Sequence, residues 1–151
     1  MTILIRLICV LMFGLCGGAA QAAEPAAAQQ AVALVKSGIA YLQANGEEQA
    51  LKAFNDPQGA FHRGELYITV YDMNGTSLAN GANTRLVGKN MLELRDADGV
   101  YILRERIRTV QEKGSGWNDF MWPNPVTKKM ERKSMYSEKF GRLIVSCGIY
   151  K

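Results

Sequence analysis

Among 151 residues there is one histidine, His62, with three cysteines and four prolines. A single imidazole leaves no His-rich metal site and no Ser–His–Asp assembly with candidates to spare. The cysteines, Cys9, Cys16 and Cys147, form no C-x-x-C, which excludes a dithiol redox motif, a paired-thiolate metal site and haem attachment. Neither G-x-G-x-x-G nor G-x-x-x-x-G-K-[ST] occurs, so no nucleotide-phosphate loop is expected. Charge is scarcely in excess: 18 basic against 14 acidic side chains, net +4. The basic cluster Lys128-Lys129 with Arg132-Lys133 is interrupted by Glu131 and followed by Glu138, which suits a solvated hairpin better than a nucleic-acid groove. Few prolines and 48% hydrophobic residues exclude a disordered chain, and the length fits one globular domain. Asp96 and Asp98 flank the start of a predicted helix, where capping accounts for them, and they lack the spacing of an EF-hand.

What is present begins with an export leader. Arg6 supplies the positive region, Leu7 to Leu15 the apolar one, and Ala20-x-Ala22 closes a run of small residues with a cleavage site. Residues 1–22 are therefore expected to be a signal peptide, and residues 23–151 the working domain; the alternative is that the segment stays attached as an N-terminal membrane anchor. Removing the leader takes away Arg6, Cys9 and Cys16, lowers the net charge from +4 to +3 and leaves Cys147 alone. A lone cysteine in an apolar strand reads as a small buried hydrophobe.

Periodicity divides the remainder. Val32, Val35, Ile39 and Leu42 recur at helical spacing, so Ala26–Ala44 is a long amphipathic helix stopped by Asn45-Gly46. Glu47–Phe54 continues as a short second helix. From Leu66 to Tyr71 apolar and amphipathic residues alternate as in a strand, and Asp72-Met73-Asn74-Gly75-Thr76 turns it into a partner at Ser77–Asn80. Gly81–Lys89 reads as loop, Asn90–Leu94 as one helical turn, and Val100–Lys113 as a helix with Val100, Leu103, Ile107 and Val110 inward. Three strands follow, Gly116–Trp122, Met130–Glu138 and Arg142–Tyr150. The order predicts an α+β fold, a five-stranded antiparallel sheet with the helices packed on one side.

The runs Leu66-Tyr67-Ile68-Thr69-Val70-Tyr71-Asp72-Met73-Asn74-Gly75-Thr76, Leu86-Val87-Gly88-Lys89-Asn90, Gly116-Trp117, Trp122-Pro123-Asn124-Pro125, Lys133-Ser134-Met135-Tyr136 and Ser146-Cys147-Gly148-Ile149-Tyr150 follow one another in an order and spacing that resemble the single Cache domain, type 2, across essentially all of 26–151. The resemblance implies a PAS-like sheet with a long N-terminal helix, lying outside the cytoplasmic membrane and binding small molecules. It also implies a place in chemotaxis or sensor-kinase signalling, and ligands that are short carboxylates such as pyruvate, propionate or acetate. A receptor of that kind needs a membrane-spanning helix and a signalling module after the domain, whereas this chain stops at Lys151. A sensing module that passes its signal to a separate membrane sensor kinase or chemoreceptor is the expectation.

A carboxylate in an apolar pocket needs a cation or several donors in place of its hydration. Lys133, within the matched K-x-x-Y segment, is the leading candidate. Arg104 and Arg108 share one face of the predicted helix and can serve the ligand or solvent. Strand alternation puts Lys133 and Met135 on one face and Tyr136 on the other, so a regular strand sends only one of Lys133 and Tyr136 to a pocket. Phe120 and Trp122 share a face with Trp117 opposite; each tryptophan can be core or ligand wall. Tyr67, Tyr71 and Tyr101 can bring a hydroxyl to the pocket edge. No catalytic residue, metal or cofactor is expected. The alternative is a protein–protein module without a small ligand, accessory to a membrane sensor or redox complex.

Overall fold

A computed structural model describes residues 26–151; the expected leader lies outside them. Ala26–Asn45 forms α1, with Ala31, Val35, Gly38 and Leu42 buried at spacings of three and four. Gly46, at φ +80°, separates it from α2, Glu47–Phe54, which carries Glu47 and Glu48 in its first turn and Lys52 in its last, in accord with the helix dipole. Two short strands, β1 (His62–Arg63) and β2 (Leu66–Tyr67), make a small ladder, followed by β3 (Thr69–Asp72) and β4 (Ser77–Asn80). After α3 (Ile102–Lys113) come β5 (Ser115–Pro123), β6 (Met130–Phe140) and β7 (Leu143–Tyr150). The main sheet is antiparallel in the order β4-β3-β7-β6-β5.

The expected elements are present, with four local differences. The strand read as continuous over Leu66–Tyr71 is interrupted at Ile68, whose N–H donates to Phe61 O (3.2 Å) as the chain passes from the small ladder to the main sheet. Asn90–Leu94 is not helical: Asn90 bridges to Thr76, and the Met91 N–H donates to Gly75 O (2.8 Å), stitching the segment to the β3–β4 turn. The helical turn of this region lies earlier, at Thr84–Leu86, where the Asn83 side chain accepts from the Arg85 N–H. Finally, α3 begins at Ile102 without a side-chain cap. Asp96 instead caps its own turn, Oδ1 accepting from the N–H groups of Asp98 (3.0 Å) and Val100 (2.8 Å), while Oδ2 accepts from the Met121 N–H (2.8 Å) and ties the turn to β5. Desolvation raises the Asp96 pKa, and these three backbone hydrogen bonds more than reverse it.

The helices do not share one side of the sheet. On one face α1 and α2 press Ala31, Val35, Leu42 and Phe54 against Ile68, Val70, Val145 and Cys147, an apolar layer throughout. On the other, α3 sets Leu103, Ile107 and Val110 against Tyr71 and Ile144. Strand alternation requires this division, because both β3 and β7 carry large buried residues on both faces. Cys147 is fully buried in the α1 layer, and burial pushes its thiol up to about 11.

Gly38 sets the distance between α1 and the sheet: a Cβ there would stand 3.4 Å from Ile68 Cδ1, 3.5 Å from Phe54 and 3.6 Å from Val145. Gly38→Leu is expected to overpack this contact and destabilise the domain by about 1–3 kcal/mol, whereas Gly38→Ala, which fits and favours the helix, keeps or slightly raises stability. Urea denaturation of both variants decides; a Leu variant with an unchanged midpoint contradicts this packing.

Candidate functional site

The register of the sheet assembles the site. Phe120, Lys133 and Tyr150 stand abreast on β5, β6 and β7, and Asn80, Thr69, Ser146 and Ser137 stand abreast across β4, β3, β7 and β6. Residues directly opposite in antiparallel strands share a face, here the α3 face. This face therefore buries polar side chains in a row, in contrast to the apolar α1 face. The Ser146 hydroxyl donates to Ser137 Oγ (2.8 Å), while Thr69 Oγ1 has no partner.

Lys133 is completely buried. Its Nζ donates to Tyr67 Oη (2.7 Å) and Tyr150 Oη (3.2 Å) and lies 4.0 and 4.4 Å from the centres of those two rings. The Tyr150 hydroxyl in turn donates to Pro123 O (2.9 Å). Room for the lysine stem comes from Gly148, where a Cβ would come within 2.6 Å of Lys133 Cε and 2.8 Å of Ser134 O. Burial brings the Lys133 pKa down to about 7; Cys147 and Glu65 oppose the shift, and Arg106 reinforces it. Burial also raises Tyr67 well above its ordinary value and Tyr150 to about 12, so both phenols keep their protons at neutral pH.

The second cation is Arg106, 2% exposed, projecting from α3 towards the sheet. Its guanidinium carbon lies 5.4 Å from the centre of the Tyr71 ring and 5.6 Å from that of Phe120, and its Nε has no hydrogen-bond partner. Burial lowers its pKa, Tyr71 and Tyr67 acting in the opposite sense, yet a guanidinium retains its proton in a protein interior. Among the described residues no carboxylate lies within 4.0 Å of either Arg106 or Lys133; the ion pairs all join exposed side chains.

Between α3, the Met91–Leu94 segment and the sheet lies a cavity lined by Tyr67, Thr69, Tyr71, Met91, Arg106, Phe120 and Trp122, with a free volume of about 20 Å³, room for about one water. Its wall is aromatic and apolar, and two groups on it, Arg106 Nε and Thr69 Oγ1, lack partners. An unpaired buried charge is costly. The arrangement can offset that cost by taking in a small anion, whose carboxylate would meet the guanidinium and whose carbon atoms would meet Phe120, Trp122 and Met91.

Of the residues singled out from sequence, Phe120 and Trp122 line this cavity, and Lys133 stands beside it through Tyr67. Trp117 and Tyr136 lie across the sheet on the α1 face, as their strand parity requires, with ring centres 5.4 Å apart and planes tilted by 52°. Arg104 is exposed, paired with Glu93 and donating to Leu92 O (3.2 Å); Arg108 is exposed and paired with Glu105. Tyr101 is sandwiched outside between Arg95 and Arg104. These four side chains and Arg108 are thus kept from the cavity. Arg106, Thr69 and Tyr150 went unread. Arg106 had a signal, since it falls three after Leu103 and four before Val110, inside the apolar stripe of α3, where an unneeded charge is not placed.

The family model of the single Cache domain 2 matches residues 27–151. The chain belongs to that family. Its relatives are sensory proteins: the sensor histidine kinase MctS of Rhizobium johnstonii is 28% identical over 86 residues, covering 56% of this chain and 18% of the kinase. The Cache domain here therefore spans under a fifth of that relative. Among solved structures, a methyl-accepting chemotaxis protein from Vibrio parahaemolyticus superposes with a TM-score of 0.72 at 21% identity, covering 83% of this chain and 88% of that one. A Cache chemosensory domain, solved to explain its carboxylic acid recognition, superposes with a TM-score of 0.70 at 23% identity, covering 83% and 93%. At these identities the two structures establish the fold of this Cache domain: the five-stranded sheet and its N-terminal helix.

Arg106 is a buried charge with no carboxylate within 4.0 Å among the described residues of this Cache domain. Arg106→Met, which fills similar space with no charge, is expected to raise the unfolding free energy of the ligand-free protein by about 1–3 kcal/mol. Chemical denaturation checks it, and a loss of stability of the size seen on deleting a core side chain would count against an unpaired guanidinium.

Proposed function

We propose that this domain is an exported sensory module that binds a short organic carboxylate, such as acetate, propionate or pyruvate, in the cavity under α3 and passes the signal to a membrane sensor kinase or chemoreceptor. The carrying observation is the pair of buried basic groups, Arg106 and Lys133, on one face of the sheet with no carboxylate within 4.0 Å of either among the described residues. The leader-like sequence of residues 1–22 supports export, and the sensory roles of the relatives support the signalling output. In this reading Arg106 takes the carboxylate oxygens, the Lys133 ammonium supplies the second positive charge, and Phe120 and Trp122 hold the alkyl end. The ligand is discriminated by charge first and by size second, since the cavity tolerates few heavy atoms.

One observation favours a second reading. The free volume of about 20 Å³ is close to filled, as suits a module that works through protein contacts alone, accessory to a membrane sensor or redox complex. Thermal-shift and calorimetric titration with two- to four-carbon carboxylates, their amides, amino acids and amines separate the two. Stabilisation by a carboxylate and none by its amide is expected, and Arg106→Met is expected to abolish it. A shift from another class only, or from none, overturns the carboxylate assignment, and silence from every class favours the protein-contact reading.

The pH dependence follows from Lys133. Its folded pKa of about 7 lies below the unfolded value of 10.5, so between those limits the unfolded chain holds more protons, and this group makes the ligand-free domain more stable as pH rises. Binding runs the other way, because an anion in the cavity favours the ammonium. Carboxylate affinity is expected to fall as pH rises from about 6 to about 9, with proton uptake on binding near neutrality. Titration calorimetry in two buffers of different ionisation enthalpy measures that uptake; Lys133→Met is expected to flatten the profile, and a flat wild-type profile would remove Lys133 from the binding step.

A further inference from the structure

The turn between β5 and β6 carries a second feature, independent of the cavity. Val126 is 58% exposed and Met130 52%, the two most exposed large hydrophobic side chains among the described residues. Lys128 and Lys129 lie between them, neither within 4.0 Å of a carboxylate. This turn is firmly held. Asn124, 1% exposed, donates its N–H to Lys129 O (2.8 Å) and accepts at O from Lys128 N–H (3.0 Å), while its Oδ1 accepts from the N–H groups of Val126 (2.8 Å) and Thr127 (3.3 Å). Its Nδ2 donates to Glu65 (2.6 Å) and Glu131 (2.7 Å), which engages the nearest acids. Lys128 sits at φ +63°, the one non-glycine residue in the left-handed region among those described. A fastened backbone thus carries two exposed apolar side chains and two exposed lysines, the Lys128 ammonium donating to Pro125 O (2.6 Å).

Its position in the fold indicates what covers it. The Lys151 N–H donates to Arg132 O (2.9 Å), so β7 finishes beside the start of β6 and this turn. Gly38 faces Val145 and Glu47 pairs with Arg142, so α1 runs opposite to β7 and its first residues lie at the same end. The apolar run Leu7–Leu15 of the expected leader, which would bring this end to a membrane before cleavage, precedes them in sequence. Two apolar side chains offer far less than the roughly 800 Å² per partner of a stable protein interface. A fluid anionic surface needs no matching contour: the apolar pair enters the boundary below the headgroups while the lysines meet phosphate.

We propose that the β5–β6 tip, Val126 to Met130, docks the domain reversibly on an anionic phospholipid surface, holding a module with no spanning helix among its described residues next to membrane-borne proteins. Sedimentation with phosphatidylcholine vesicles, with and without phosphatidylglycerol, tests it on residues 23–151, alongside the full chain in case the shorter piece proves unstable. An environment-sensitive fluorophore on Val126→Cys, with Cys9→Ser and Cys16→Ser added in the full chain, reports insertion of the tip itself in both. Binding to the anionic vesicles alone, a blue shift of the label and loss of binding at high salt are expected. Lys128→Glu with Lys129→Glu, and separately Val126→Asp with Met130→Asp, are each expected to weaken binding by at least about tenfold, with melting temperature unchanged. Equal sedimentation with both lipids, a label that does not shift, or tip variants that bind like the parent overturn the proposal. So does concentration-dependent self-association abolished by Val126→Asp with Met130→Asp in the absence of vesicle binding, which would assign the tip to a second copy.

Discussion

Two basic side chains, Arg106 and Lys133, are held out of water on the α3 face of the sheet, and among the described residues no carboxylate lies within 4.0 Å of either. Much of the local structure follows from accommodating them. Gly148 is bare because the lysine stem crosses it; Tyr67 and Tyr150 approach because their hydroxyls and rings are the nearest neutral groups that can receive an ammonium; Tyr71 and Phe120 turn their faces to the guanidinium. The opposite face carries no such demand and packs as a plain apolar layer. The domain thus differs by face, apolar packing under α1 and buried basic groups under α3, where the proposed site lies.

This asymmetry bears on how a small sensor discriminates. A neutral apolar molecule of the right size finds an aromatic wall, yet leaves both cations as they were. In the proposed reading an anion changes the electrostatics of the entire face at once, relieving Arg106 directly and shifting the proton balance of Lys133. Selectivity then comes from the protein's own unfavourable charge and only secondarily from contour.

The sequence made the architecture readable because each element carries a clean period: the three-and-four spacing of Val35 and Leu42, the alternation through Val70, the stripe of Leu103 and Val110. Parity within a strand was equally readable, and it separates Phe120 and Trp122 from Trp117, and Lys133 from Tyr136. What could not be read was which face would receive which helix, since that depends on contacts far apart in sequence. Arg104 and Arg108 were therefore weighed for their mutual spacing, when the informative arginine was the one breaking the apolar stripe. The place of Tyr150 opposite Lys133 depends on the register set by the turn at Gly141, and the capping expected of Asp96 is met within its own turn and by a distant backbone group on β5, not by the helix that follows it.

The hydroxyl of Tyr150 has a wider consequence. It receives the Lys133 ammonium on one side and grips the Pro123 carbonyl on the other, next to the residue that organises the β5–β6 turn, and it stands one position before the residue bonded to Arg132. The buried charge and the outer rim of the domain are thereby separated by two hydrogen bonds through a single phenol. Removing that one hydroxyl would therefore deprive the interior amine of an acceptor and the rim carbonyl of its donor at a single stroke.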